Sequence, residues 1–141
     1  MERGFSLFEL IIVMAIIGIA TMVVAPNFSN WRARSAVNNA TKSVLSHMKQ
    51  ARVIAMSENR NVSITFAADS YTFDADPGGT CGLCKPQQVP YSSFSSHMTI
   101  TPTTTLTFSS RGTVNPNTIT LADGGFSHAL VVNLIGRAYE Q

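Results

Sequence analysis

The sequence predicts an α+β protein: one long N-terminal helix, its first half membrane-spanning and its second half amphipathic, packed on an antiparallel β-sheet head. Three observations carry that prediction. Phe5–Ala25 is apolar except at Ser6, Glu9, Gly18 and Thr21, and about 20 apolar residues as a helix cross the hydrocarbon core of a bilayer. After Pro26 the apolar residues recur at helical spacing, and after Asn59 the period shortens to two. At 141 residues, with 45% hydrophobic and 13% charged side chains, the chain is one ordered domain with an appendage rather than a disordered segment.

The first element is the apolar run. A secretory signal has a basic start, a short apolar stretch and a small-residue cleavage site. Here Arg3 is offset by Glu2, the apolar stretch is long, and no A-x-A pattern follows it. A retained helix fits better, and it must account for Glu9. A carboxylate inside a membrane helix costs about 2.5–3.5 kcal/mol on insertion scales and usually marks function. It requires a cationic partner, and this segment offers none on its own face. The amino group of a neighbouring copy would serve.

The stretch G-F-S-L-F-E-L-I-I-V-M-A-I-I-G-I-A, Gly4 to Ala20, resembles the N-terminal signature of type IV pilins and type II secretion pseudopilins. The resemblance implies cleavage between Gly4 and Phe5 by a prepilin peptidase and methylation of Phe5 as the new N-terminus. It implies that Glu9 pairs with the N-terminal amine of an adjacent subunit during assembly. Gly18 and Pro26 fit the same pattern, because both residue types weaken helices. The implied location is the inner membrane, crossed once, with the C-terminal head in the periplasm and later in a pilus or pseudopilus. Basic residues alone, Arg32 and Arg34 after the run against Arg3 before it, favour the opposite orientation. The longer signature decides for the family arrangement.

The second half of the helix is read from Val37, Ala40, Val44, Met48, Ala51 and Ala55, which form one helical face. Strands are expected where Val62, Ile64 and Phe66 alternate with polar residues, and again at Tyr71, Phe73 and Ala75. Further strands are expected at His97–Thr101, Thr104–Ser109, Asn117–Leu121 and Ala129–Ile135, with glycines and Pro116 between them. Asp76–Ser96, rich in Pro, Gly and Ser, reads as a long loop. The expected division is therefore a leader at 1–4, a transmembrane and assembly helix at 5–26, an amphipathic helix at 27–59, and a β-rich head at 60–141.

L-T-F-S-S-R-G-T-V, T-I-T-L-A and A-L-V-V-N-L-I-G-R-A in the C-terminal half resemble the GspH/FimT branch of these proteins, which holds H-type pseudopilins and minor pilins. Arg111-Gly112 and Gly136-Arg137 match that branch; each also reads simply as a turn glycine beside a solvated arginine.

Cys81 and Cys84, in C-G-L-C-K-P, are the one arrangement that looks like an active site. A redox pair needs a helix N-terminus to depress the first thiol's pKa, and a Gly- and Pro-rich loop provides none. A zinc site needs four ligands, and His47, His97 and His128 have no ligand-like spacing. In an oxidising compartment the expectation is a disulfide pinning the loop, with the redox and metal readings as alternatives. The histidines read as isolated polar surface groups. No catalytic constellation, cofactor motif or metal site is expected.

From Pro26 onward nine Lys and Arg face six Asp and Glu, a difference of +3 spread along the chain, unlike the concentrated basic stripe of a nucleic-acid binder. Minor pilins that take up DNA resemble one another in a terminal G-R-x-R. Here Gly136 and Arg137 match, Tyr139 stands at the second arginine, and Glu140 adds a repelling charge. Tyr139 could stack on a base. The expected role is a structural subunit, a minor pilin or a pseudopilin, with DNA uptake as the alternative. Its expected partners are other pilin subunits, prepilin peptidase, the inner-membrane assembly platform and the membrane itself.

Overall fold

The computed structural model describes residues 6–141, with the backbone alone for residues 23–27. Helix α1 runs from Leu7 to Ser57 without interruption. Eight strands follow: β1 Val62–Phe66, β2 Ser70–Asp74, β3 Gln87–Pro90, β4 Thr99–Thr101, β5 Thr105–Phe108, β6 Asn117–Asp123, β7 Phe126–Val132 and β8 Ala138–Glu140. The chain divides into two compact units, one ending at Arg32 and the other spanning Ala33–Gln141.

In the second unit the expected helical face is the buried one. Val37, Ala40, Val44, Met48, Ala51 and Ala55 all have no exposed surface. Three of them are alanines, which let strands approach the helix closely while the larger side chains come from the sheets. The helix stops at a left-handed residue. Asn59 has φ 50°, and the Arg60 N–H donates to the Ala55 carbonyl at 3.2 Å. This is a Schellman closure with asparagine at the position glycine usually takes.

The head contains two four-stranded antiparallel sheets, ordered β3-β2-β1-β5 and β4-β6-β7-β8. In β5 and β6 the burial alternates as the pleat requires, with Leu106 and Phe108, then Ile119 and Leu121, turned inward. One buried cluster joins the α1 face to both sheets. Fully burying each large apolar side chain in it contributes about 1.5–3 kcal/mol. β6 and β7 meet at Gly124-Gly125, both with positive φ, the two-residue hairpin geometry that suits strand twist.

Several expectations need correction. The stretch 76–96 is not one loop: it holds β3 and a 3₁₀ turn at Tyr91–Ser93. β3 is an edge strand ending in Pro90, where a missing donor is tolerated, and Tyr91 anchors the turn at 1% exposure. The strand expected at Ala129–Ile135 instead spans Phe126–Val132. It ends because Asn133–Gly136 forms a turn, with the Gly136 N–H on the Asn133 carbonyl at 2.9 Å. Leu134 and Ile135 are therefore exposed despite being apolar. The C-terminal residues, where no strand was specified within the β-rich head, form β8 against β7.

Candidate functional site

Around Glu9 the helix begins with a recognisable cap. Ser6, just before the first turn, accepts the Glu9 N–H on its side-chain oxygen at 3.3 Å, half of the S-x-x-E capping box. That pattern was legible as Ser6-Leu7-Phe8-Glu9 but was obscured by the apolar run around it. The cap uses the Glu9 backbone and leaves its carboxylate exposed, with no hydrogen bond or ion pair among the described residues. A carboxylate in the first helical turn is favoured by the helix dipole. Gly4 and Phe5, the residues of the expected cleavage, lie outside the described residues.

Beyond Glu9 the first unit presents its apolar side chains to the outside. Leu7 is 78% exposed, and Leu10, Ile11, Met14, Ile16, Ile17, Ile19 and Met22 are all exposed in the single chain. An exposed apolar surface of this extent marks an interaction site. Thr21 satisfies its hydroxyl internally, donating to the Ile17 and Gly18 carbonyls at 3.0 and 2.9 Å. A Cβ added to Gly18 would meet nothing within 4 Å, so nothing near it within the chain requires a glycine there. Among the described residues no helix is long and apolar enough to cross a membrane. The sequence's apolar run, 5–25, extends past the described side chains at both ends.

Cys81 and Cys84 are joined as a disulfide, with Cα atoms 5.3 Å apart. The bond closes a turn in which the Cys84 N–H donates to the Cys81 carbonyl at 3.1 Å. Asp76 organises this loop. One of its oxygens accepts the Thr80 hydroxyl at 2.9 Å, and the other accepts the Cys81 N–H. Arg60 reaches the same place, with Nη1 3.7 Å from Asp76 Oδ1 and Nη2 3.5 Å from Cys84 Sγ, while also pairing with Glu58. The Cys81 amide, above all, holds the Asp76 carboxyl below its usual 3.8, with help from Thr80 and Arg60. Asp76 was not singled out in the sequence, although an Asp-Pro-Gly-Gly run just before the cysteines is a turn signal.

His47 is not the isolated surface group expected. It is half-buried, and its Nδ1 lies 2.9 Å from the Tyr71 hydroxyl, which Ser43 also meets at 2.8 Å. Its ring lies against both Tyr71 and Phe73. Burial pushes the His47 imidazolium below 6.5 and the Tyr71 phenol above 10. His128 is engaged as well, paired through Nδ1 with the Glu140 carboxylate. Glu140 on β8 is therefore partnered by His128 on β7 rather than simply repelling an anion. Arg137 lies exposed in the turn before β8, its N–H held by the Asn133 side chain at 2.8 Å, and Tyr139 is half exposed on that edge strand. Among the described residues no group of His, Cys, Asp and Glu side chains could hold a metal ion.

A long helix seating a two-sheet head with one face, and bearing a capped, apolar N-terminal half, defines a pilin-like fold. The chain belongs to the GspH family: the family model described as type II transport protein GspH matches residues 40–136. The model for the prokaryotic N-terminal methylation motif matches residues 1–25. The crystal structure of the type IV minor pilin FimU from Pseudomonas aeruginosa PAO1 in space group P21 superposes with TM-score 0.62. It covers 77% of this chain and 90% of that one at 17% identity. A second FimU crystal form gives TM-score 0.57 over 74% and 91%. Two fimbrial proteins of Pseudomonas aeruginosa are 38% identical over 61 residues, 43% of this chain; the match spans 39% of their length. The chain is thus a GspH-family protein with a pilin-like fold and an N-terminal methylation motif, from a family of structural proteins.

Proposed function

We propose that this chain is a structural subunit of a type IV pilus or type II secretion pseudopilus, anchored by its N-terminal helix and then drawn into a filament. One observation carries the reading: an exposed apolar helix that bears a single carboxylate, Glu9, with no partner among the described residues. The surface is suited to lipid before assembly and to neighbouring helices afterwards. An unpaired carboxylate is costly in either setting, and a neighbour's amine offsets that cost only when the two copies are in register. Glu9 thereby selects the axial position of the incoming subunit.

The amine in question is that of Phe5, freed by prepilin peptidase between Gly4 and Phe5 and then methylated. The chain crosses the inner membrane once, holds its head in the periplasm, and engages an inner-membrane assembly platform. The likenesses to a minor pilin and to fimbrial proteins favour the pilus, while the GspH family description keeps the secretion pseudopilus as the second assembly. The DNA-uptake alternative rests on Arg137 and Tyr139 alone, and on the structural reading Arg137→Ala leaves the chain's retention of DNA unchanged.

Intact mass and N-terminal sequencing of the protein recovered from membranes test the reading. A chain beginning at methylated Phe5 supports it. A chain beginning at Met1 in cells with an active prepilin peptidase overturns it.

A further inference from the structure

Phe28 and Trp31 sit one turn apart on α1 with stacked rings, centroids 5.8 Å apart and planes inclined by 27°. Both are exposed, at 55% and 62%. Arg32, next in the chain, is also exposed and makes no ion pair among the described residues. From Leu7 to Phe28 is 21 helical steps, about 32 Å of rise against a hydrocarbon core of about 30 Å. If the helix enters the bilayer near Leu7, Phe28 and Trp31 fall at the opposite boundary.

That boundary is where their chemistry fits. The indole ring is apolar over most of its surface but carries an N–H that requires an acceptor, so tryptophan collects among headgroups and ester carbonyls rather than in hydrocarbon or water. A stacked pair presents a broad ring surface to that layer, and the Arg32 guanidinium can bond a lipid phosphate.

We infer that Phe28, Trp31 and Arg32 form an interfacial anchor that docks on the phospholipid surface and sets the depth of the N-terminal helix in the bilayer before assembly. The inference rests on reading residues 5–25 as a membrane anchor and adds what fixes its height. Because α1 is continuous, holding Trp31 at one boundary places Glu9, 22 steps away, about 33 Å off along the axis. The carboxylate is thereby kept near the opposite headgroups instead of at the midplane, where a neighbour's N-terminal amine also lies.

Trp31 is the only tryptophan of the chain, so it reports its own position. The full chain is reconstituted into phosphatidylcholine–phosphatidylglycerol vesicles, and flotation first establishes whether it is membrane-bound. Tryptophan emission is then read in vesicles whose lipids carry bromine at graded depths along the acyl chain. The expected result is a blue-shifted emission quenched most by the shallowest bromine. In a Phe28→Trp/Trp31→Phe variant the strongest quenching shifts toward deeper bromine. A chain that fails to float overturns both the anchor reading and this inference. A chain that floats but shows water-like, unquenched emission overturns the inference alone, as does strongest quenching at the midplane. Blue-shifted emission that no lipid bromine quenches and that follows the protein-to-lipid ratio would place Trp31 between copies of the chain, and also overturns it.

Discussion

Gly136 sits against the backbone of Gly112: a Cβ on Gly136 would fall on the Gly112 carbonyl oxygen, with Arg52 Cδ 3.2 Å away. The two glycines stand in Arg-Gly and Gly-Arg turns far apart in sequence, and both have positive φ, 75° and 71°. The Val114 N–H donates to the Leu134 carbonyl at 3.2 Å beside them. The glycines of the branch signature thus join two turns over the helix, while Arg111 and Arg137 remain outside. Gly136→Ala is expected to cost about 2–4 kcal/mol, from left-handed strain together with overpacking against a carbonyl that cannot swing away. Gly125→Ala has the same kind of φ, 88°, but no neighbour within 4 Å, so it should cost only about 1 kcal/mol. Urea unfolding of the two variants in detergent separates packing from conformation.

Glu9 should matter for assembly and hardly at all for the head. Its carboxylate touches nothing among the described residues, and the cap it supports uses its backbone N–H. Glu9→Ala is expected to leave membrane insertion and head stability unchanged while filament incorporation falls sharply. Quantifying the subunit in sheared filaments against total membranes checks this, and normal incorporation would defeat the pairing argument.

The Ser43–Tyr71–His47 cluster predicts an acid-side loss of stability. Burial lowers the His47 pKa from 6.5, so as pH falls the unfolded chain takes up that proton before the folded one does. Stability is then greatest above pH 6.5, declines as pH falls through the folded value, and levels off once both states are protonated. His47→Gln should flatten that limb. Tyr71→Phe removes the hydroxyl that both Ser43 and His47 meet and should cost about 1 kcal/mol. Stability measured across this pH range in the three proteins tests both statements.

How far these features could be read beforehand depended on whether the signal was local. The buried face of α1 was legible because Val37 to Ala55 repeat at helical spacing and one stretch of chain dictates which side is wet. β1, β5 and β6 followed from alternation over a few residues. β3 and β8 did not, because Gln87–Pro90 and Ala138–Glu140 have little strand propensity and exist by pairing with β2 and β7. His47 was misjudged for the same reason: its partner Tyr71 is distant in sequence. Leu134 and Ile135 misled in the other direction, since apolar side chains suggested strand where Asn133 and Gly136 make a turn.

The Asp76 loop is held from two sides, and the supports should prove interdependent. The disulfide closes only four residues, Cys81 to Cys84, so loop-closure entropy limits its contribution to about 2 kcal/mol. Asp76 fixes the same turn from the other side, accepting the Cys81 N–H and the Thr80 hydroxyl beside Arg60. Its carboxyl is held below 3.8, so its contribution is fully present above that pH and disappears as pH falls through the lower folded value. This window opens below 3.8, whereas that of His47 opens below 6.5, and the His47→Gln and Asp76→Asn variants assign each limb of the stability–pH curve. Replacing both cysteines by serine should lower stability by no more than about 2 kcal/mol, and Asp76→Asn should abolish the lowest-pH limb. Once either support is gone the loop is already loosened, so removing the other should cost less than it does alone. A double-mutant cycle on urea midpoints measures that shortfall; strict additivity would mean that the disulfide and Asp76 stabilise separate parts of the head.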